Sequence, residues 1–218
     1  MPAQKDKEHS EKPRRPGRPR GKKAGADNRE QLMDIALMLF ARQGIARVSL
    51  NAIAKEAGVT PAMLHYYFTS REALVDQLLE ERFMPLRNRI AAVFATHPDD
   101  PVRSLTLMVQ VLAEVAGQYA WFAPLWMQEM IGEMPVLRQQ MHARFGDDKY
   151  HNMLSTLARW QSEGKLNREL APELLITTLI SLVLVPFSRL RTDERLKAVS
   201  PDVIVRHALA IMGQGIGA

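Results

Sequence analysis

A chain of 218 residues, 46% of them hydrophobic, can bury a substantial core in one large or two small domains. Its formal charge of +5 is unevenly spread: residues 1–26 hold nine Lys or Arg against three Asp or Glu, a net of +6, and the remainder carries −1. The basicity thus belongs to a tail rather than to a body that binds polyanions in general. The absence of cysteine excludes disulfides, thiolate metal sites and a Cys nucleophile.

Residues 1–26 are rich in Lys, Arg, Pro and Gly and have almost nothing to bury, so they are expected to be a disordered basic arm. Within the arm, Gly17-Arg18-Pro19 flanked by Arg15 and Arg20 resembles an AT-hook, a segment that can enter a narrow minor groove where Arg meets enhanced negative potential. A solvated tail that only adds attraction to phosphates would look the same in sequence. The charged N-terminus has no apolar stretch behind it and does not read as a secretory signal.

A first helix is expected from Asp27, with Glu30 completing a capping-box-like start, to about Gln43, where Gly44 closes it. Ser49 then reads as an N-cap, and Leu50, Ile53, Ala54 and Ala57 fall at helical spacing. Gly58 can end that helix with a positive φ. Thr60 caps again, and Pro61 takes the first helical position, where its missing N–H costs nothing. The second short helix, about Pro61 to Tyr67, should bury Leu64 and Phe68. Thr60, Ala62, Met63, His65, Tyr66 and Tyr67 would then face outward, a surface of small, hydroxyl and aromatic groups. Two short helices on a tight turn, the second with such a face, suit insertion into a DNA major groove. His and Tyr side chains beside a cap, followed by Arg71, can hydrogen-bond phosphates while their rings pack along the backbone.

Three segments carry a family resemblance. They are Ile53-Ala54-Lys55-Glu56-Ala57-Gly58-Val59-Thr60, then Leu64-His65-Tyr66-Tyr67-Phe68, then Ser70-Arg71-Glu72-Ala73-Leu74. Over residues 28 to 76 the chain resembles the DNA-binding domain of the TetR family of bacterial transcriptional regulators. His65 departs from the pattern, standing where the family usually has tyrosine. The resemblance implies an all-α fold: an N-terminal three-helix helix-turn-helix domain, here 27–74, and a larger effector-binding and dimerisation domain, here 75–218. It also implies that Ser49, Asn51 and Arg71 clamp phosphates while Thr60 to Tyr67 meet the major groove. No Arg or Asn on the recognition helix announces a bidentate base contact.

Downstream, Val75, Leu79, Phe83, Leu86, Ile90 and Val93 form an apolar stripe at helical spacing, with a kink or break expected at Pro85. Further helices are expected over 101–118, 123–131, 135–144, 147–163, 172–191 and 201–213. No alternating strand pattern and no repeat is present. Leu174 to Phe187 is the longest apolar stretch and reads as too short and too interrupted to span a bilayer, so a cytoplasmic protein is expected. The last two helices are apolar nearly all round and need cover from more than one side. Core burial within a monomer could supply it; the resemblance implies a homodimer through a four-helix bundle. Symmetry would let two recognition helices meet half-sites one DNA turn apart.

All three tryptophans fall in the middle of the chain among soft and aromatic residues. Met108, Trp121, Phe122, Trp126, Met130 and Trp160 are the candidates to line an apolar pocket for a small effector, although most such side chains in any protein are core. Glu114, Gln118, Glu129, His142 and Arg159 are polar residues in apolar segments, able to orient a ligand but expected mainly at the surface. Asp147-Asp148…His151 reads as a helix start favoured by the dipole rather than a metal site. No catalytic set, metal site or cofactor motif is found, and an enzyme is not expected. The sequence therefore reads as a ligand-responsive repressor, the alternative being an architectural DNA-binding protein without an effector.

Overall fold

The structure is a computed structural model that describes residues 22–131, 135–146 and 148–215. Arg15, Arg18 and Arg20 of the arm lie outside the described residues. Helix α1 (Lys22–Gln43) starts five residues before Asp27, so the expected capping box falls inside the helix and residues 22–26 are helical rather than part of the arm. Lys22, Lys23, Ala24 and Ala26 are good helix formers, and the single Gly25 costs only about 1 kcal/mol. Leu32, Met33, Ala36, Leu37 and Phe40 of α1 are buried, the stripe around which the N-terminal head packs.

The next two helices follow the local chemistry closely. Gly44 leaves α1 with φ 82° and ψ 145°, a conformation essentially reserved for glycine. A single 3-10 turn (Ile45–Arg47) leads to α2 (Leu50–Glu56), whose N-cap Ser49 accepts a hydrogen bond from the Ala52 amide at 3.2 Å. Gly58 turns the chain with φ 66°. Thr60 caps α3 (Pro61–Tyr67) by accepting from the Met63 amide at 3.2 Å, and Pro61 occupies the first turn. Ser70 caps α4 (Arg71–Leu78) by accepting from Ala73 at 3.0 Å. Each such cap is worth about 1 kcal/mol.

Of the kink or break expected at Pro85, the break does not occur. A π turn (Leu79–Phe83) links α4 directly to α5 (Met84–Thr96), so residues 71–96 form one continuous helical rod. Proline at position 85 cannot donate to the Glu81 carbonyl, and its ring crowds that carbonyl. The π turn absorbs the conflict one turn early, with the Met84 amide donating to the Leu79 carbonyl five residues back. A domain boundary after Leu74 therefore falls inside this rod. Both faces of that boundary belong to one apolar core, which runs from Leu32 and Phe68 through Leu79 and Phe83 to Leu105 and Val183.

The remaining chain folds as α6 (Pro101–Gln118), α7 (Phe122–Ile131), α8 (Val136–Phe145), α9 (Asp148–Ser162), α10 (Pro172–Arg189) and α11 (Pro201–Gly215), with a 3-10 turn at Glu194–Leu196. Among the described residues the regular structure is entirely helical. α6 is central, touching α5, α10 and α11. α7 reaches the head by packing on α1, and α8 touches the turn at Ile45–Arg47.

α10 is 18 residues long with mean hydropathy 1.4, long and apolar enough by length and composition to cross a membrane, contrary to the sequence expectation. Its hydroxyls and Pro186 do not lower the average enough to offset the Leu, Ile and Val. In this fold it packs on α6, α7, α9 and α11, yet only 28% of it is buried. Leu174 remains 65% exposed, and Val203 and Ile211 on α11 are 41% and 47% exposed.

Candidate DNA-binding helix and central cavity

On α3, Leu64 and Phe68 are fully buried, and Arg29 of α1 stands over the Phe68 ring at 5.8 Å. Anchoring these two side chains fixes the rotation of a helix too short to hold itself. Thr60, Pro61, Ala62, His65 and Tyr66 are thereby exposed, while Met63 and Tyr67 are half-buried. Tyr66 is the extreme case at 82% exposed, its ring edge-on to Tyr67 with centroids 5.1 Å apart. A tyrosine left in water with no internal partner for its hydroxyl is an unusual use of a large apolar ring and marks a contact surface.

The three candidate phosphate clamps are placed differently. Asn51 is exposed on α2. Ser49 is exposed, but its hydroxyl oxygen already accepts from the Ala52 amide. Arg71 turns inward: one Nη donates to the Ile45 carbonyl at 2.6 Å, and its Nε is buried without a partner. Arg71 thus ties the start of α4 to the turn before α2, which fixes the helix-turn-helix on the head.

Behind the head, a cavity of about 530 Å³ opens between α5, α6, α7, α9 and α10. Met108, Phe122 and Trp126 line it, together with Phe83, Ile90, Phe94, Leu112, Met141, Met153, Ile176 and Ile180. Two sequence candidates are elsewhere. Trp121 sits in the core between Phe83, at 5.0 Å, Tyr119 and Phe122. Trp160 is fully buried, stacks on Phe94 and donates its indole N–H to the Pro98 carbonyl at 2.8 Å. The side chain of Met130 lies outside the described residues.

A second chamber of about 560 Å³ adjoins the first and shares Arg87, Trp126, Met141 and Tyr150 with it. Its other lining residues include Glu129, Leu137, Arg138 and His142. Glu114, Gln118 and His142 are exposed, and Arg159 is partly so, pairing with Asp99 and Glu163. Glu129 is the exception, only 6% exposed, and corrects the surface expectation. Its carboxylate accepts from the Leu137 amide at 2.8 Å and from the Arg138 amide at 3.4 Å, capping α8 from α7. Burial pushes its pKa above the ordinary carboxylate value, outweighing the two amide hydrogen bonds.

Sequence reasoning missed Arg87, Asn152 and Thr156 of α9, and Ile176 and Ile180 of α10. Their pattern is that of ordinary amphipathic helices, and only the packing opens space beside them. Among the described residues no cluster of His, Cys, Asp or Glu is placed to hold a metal ion.

Ion pairs cross from head to body. Arg29 on α1 reaches Gln77 and Glu81, and Arg82 pairs with Glu30. Arg144 of α8 bridges Asp76 at 2.8 Å and Glu80 at 2.7 Å. These exposed pairs contribute about 0–1 kcal/mol each to stability. Their consequence is positional, since they hold α4 and the π turn against both α1 and α8.

The sequence pattern of bacterial regulatory proteins of the tetR family matches residues 32–78, from the core of α1 to the end of α4. The chain is 29% identical over 125 residues to the HTH-type transcriptional regulator AcrR of Shigella flexneri, covering 54% of this chain and 57% of that protein. It is 28% identical over 150 residues to the HTH-type transcriptional regulator RutR of Escherichia coli, covering 66% of each. The chain therefore spans between about half and two thirds of these relatives' length. The solved ketosteroid transcriptional regulator KstR2 of Mycobacterium tuberculosis shares the fold, with TM-score 0.66 and 19% identity over 87% of this chain and 95% of that one. With a capped helix-turn-helix on an all-helical body and these likenesses, residues 32–78 belong to the tetR family of bacterial regulatory proteins, and the body behind them has the fold of solved transcriptional regulators.

Proposed function

We propose that this protein is a homodimeric repressor that releases its DNA operator when a small, largely apolar effector enters the central cavity. The observation that carries the reading is a continuous one. The helix bearing Tyr66 is followed directly by a rod, residues 71–96, that ends in the cavity wall at Phe83, Arg87, Ile90 and Phe94. A ligand that spreads this wall has to tilt or slide the rod, because close-packed interiors respond as bodies rather than by local give. The rod is tied to the turn before α2 through Arg71 and Ile45, so the helix-turn-helix moves with it. Releasing DNA tenfold requires only about 1.4 kcal/mol of differential ligand affinity between two conformations.

In this reading Thr60, Ala62, Met63, His65, Tyr66 and Tyr67 enter the major groove. Asn51 and the Ser49 region contact phosphates, and Arg15, Arg18 and Arg20 add attraction from the arm. The uncovered apolar faces of α10 and α11 are covered by a second copy. A cavity of about 530 Å³ with a largely apolar wall speaks against an architectural protein, in which the aromatic residues would close on one another.

The test is Tyr66→Ala, measured by fluorescence anisotropy on the DNA that borders the protein's own coding region. Affinity should fall about tenfold or more, roughly 1.4 kcal/mol, while thermal stability stays within about 0.5 kcal/mol of the parent. Unchanged affinity would remove α3 from the DNA interface.

A further inference from the structure

Arg87 lies on α5, one turn beyond the π turn, at the junction of the two chambers. Among the described residues its guanidinium has no ion pair or hydrogen bond, and its Nη1 is buried from solvent without a partner. Most other arginines of the α1–α8 region are paired: Arg29, Arg42, Arg82, Arg89 and Arg144 each reach a carboxylate. A buried cationic donor left open is costly, far more so than an exposed one.

The surroundings do not neutralise it. Glu129 also lines the second chamber, but its Oε2 is occupied by the Leu137 and Arg138 amides at the start of α8. Arg138 lines the same chamber and adds a second cation. On the other side, Ile90, Phe94, Met108, Leu112, Ile176 and Ile180 offer no charged group at all. The combined site is a largely apolar cavity with the unpaired Arg87 guanidinium where its two chambers meet.

We propose that the cavity takes an amphipathic carboxylate, its apolar body among Ile90, Phe94, Met108 and Ile180 and its anionic head on the Arg87 guanidinium. This rests on the reading of the cavity as the effector site, and it names the ligand's chemical class. A planar carboxylate matches the two-donor edge of arginine and gives the charge-assisted bonds that Nη1 lacks. The apolar body supplies affinity through burial, and the head supplies selection. Because Arg87 belongs to the rod that carries the helix-turn-helix, pulling it toward an anion also acts on the element that the effector has to move.

Three ligands of equal chain length and different heads test this: decanoate, decanol and decyltrimethylammonium, titrated calorimetrically into the full-length protein at neutral pH. Decanoate should bind at least tenfold more tightly than decanol, and the cationic amphiphile most weakly. In Arg87→Met the tenfold preference should vanish while decanol affinity stays within about twofold; Arg87→Lys should recover part of it. Equal binding of acid and alcohol to the parent protein, which needs no variant, overturns the proposal. So does failure of decanoate to bind at millimolar concentration, a preference that survives Arg87→Met, or tightest binding of the cation, which would make Glu129 the selecting group. These measurements contain no DNA. If decanoate binds through Arg87 yet leaves DNA affinity unchanged, the repressor mechanism fails while the ligand assignment stands.

Discussion

The chemistry of single residues in this protein is decided by how many partners the fold leaves them. Tyr66 and Arg87 are opposite cases of the same condition, one an aromatic ring held in water and the other a half-buried cation with one donor nitrogen held out of it. Glu129 is a third, a carboxylate buried to cap a helix. Its raised pKa has a definite linkage sign. Between the ordinary Glu value, about 4.3, and the higher folded value, the native state holds more protons than the unfolded chain. Its contribution to stability is therefore full below that window and is lost as pH rises through the folded pKa. Glu129→Gln keeps an oxygen acceptor for the Leu137 and Arg138 amides without the buried charge. Urea denaturation from pH 4 to 8 should show the variant gaining on the parent as pH rises. A stability difference that stays flat across that range would refute the assignment.

Among elements, the turns are governed by backbone conformation and the helices by what they bury. Gly44 and Gly58 show how the two can be separated. Neither has a crowded neighbour: a Cβ on Gly44 would lie 3.7 Å from Gln128 Oε1, and one on Gly58 would meet nothing within 4 Å. Any cost of substitution is therefore conformational. Gly58→Ala should destabilise by about 1–2 kcal/mol, the penalty of a left-handed residue. Gly44→Ala, whose φ and ψ are nearly closed to other residues, should cost up to about 3 kcal/mol. Thermal melts read both, and Gly44→Ala melting above Gly58→Ala would contradict this account. Pro85 teaches a related lesson. A proline signals conflict with the preceding carbonyls, but it does not say whether the chain breaks or widens by one residue, and here it widens.

At the scale of the molecule, one apolar core joins head and body, and several large apolar side chains on α10 and α11 are left exposed. Leu174, Val203 and Ile211 lie on the two helices that the family resemblance assigns to a dimer. Exposed apolar side chains on two helices that pack on each other are the natural place to test the proposed dimer. Leu174→Glu combined with Ile211→Glu should shift sedimentation equilibrium from dimer toward monomer. It should also weaken DNA binding by tenfold or more, since two linked half-site contacts become one. A dimer of unchanged strength would place the interface elsewhere. Far-UV circular dichroism should be little altered, because Leu174 and Ile211 contribute little to the core of one chain.

The sequence by itself determined the helix-turn-helix almost to the residue. Ser49, Thr60, Ser70, Gly58 and Pro61 act through bonds to amides three residues away or through their own φ, so nothing distant is needed to read them. The buried pair Leu64 and Phe68 was legible for the same reason, as one face of a short helix. Only the tertiary structure decided the rest. Whether Trp121 and Trp160 are core while Phe122 and Trp126 face a cavity depends on the angles at which five helices meet, and composition is identical in either case. Whether Glu129 caps and Arg87 waits depends on which helix end arrives beside each. A side chain carries its charge and shape in the sequence, but its unpaired hydrogen bonds exist only once every neighbour has taken its place.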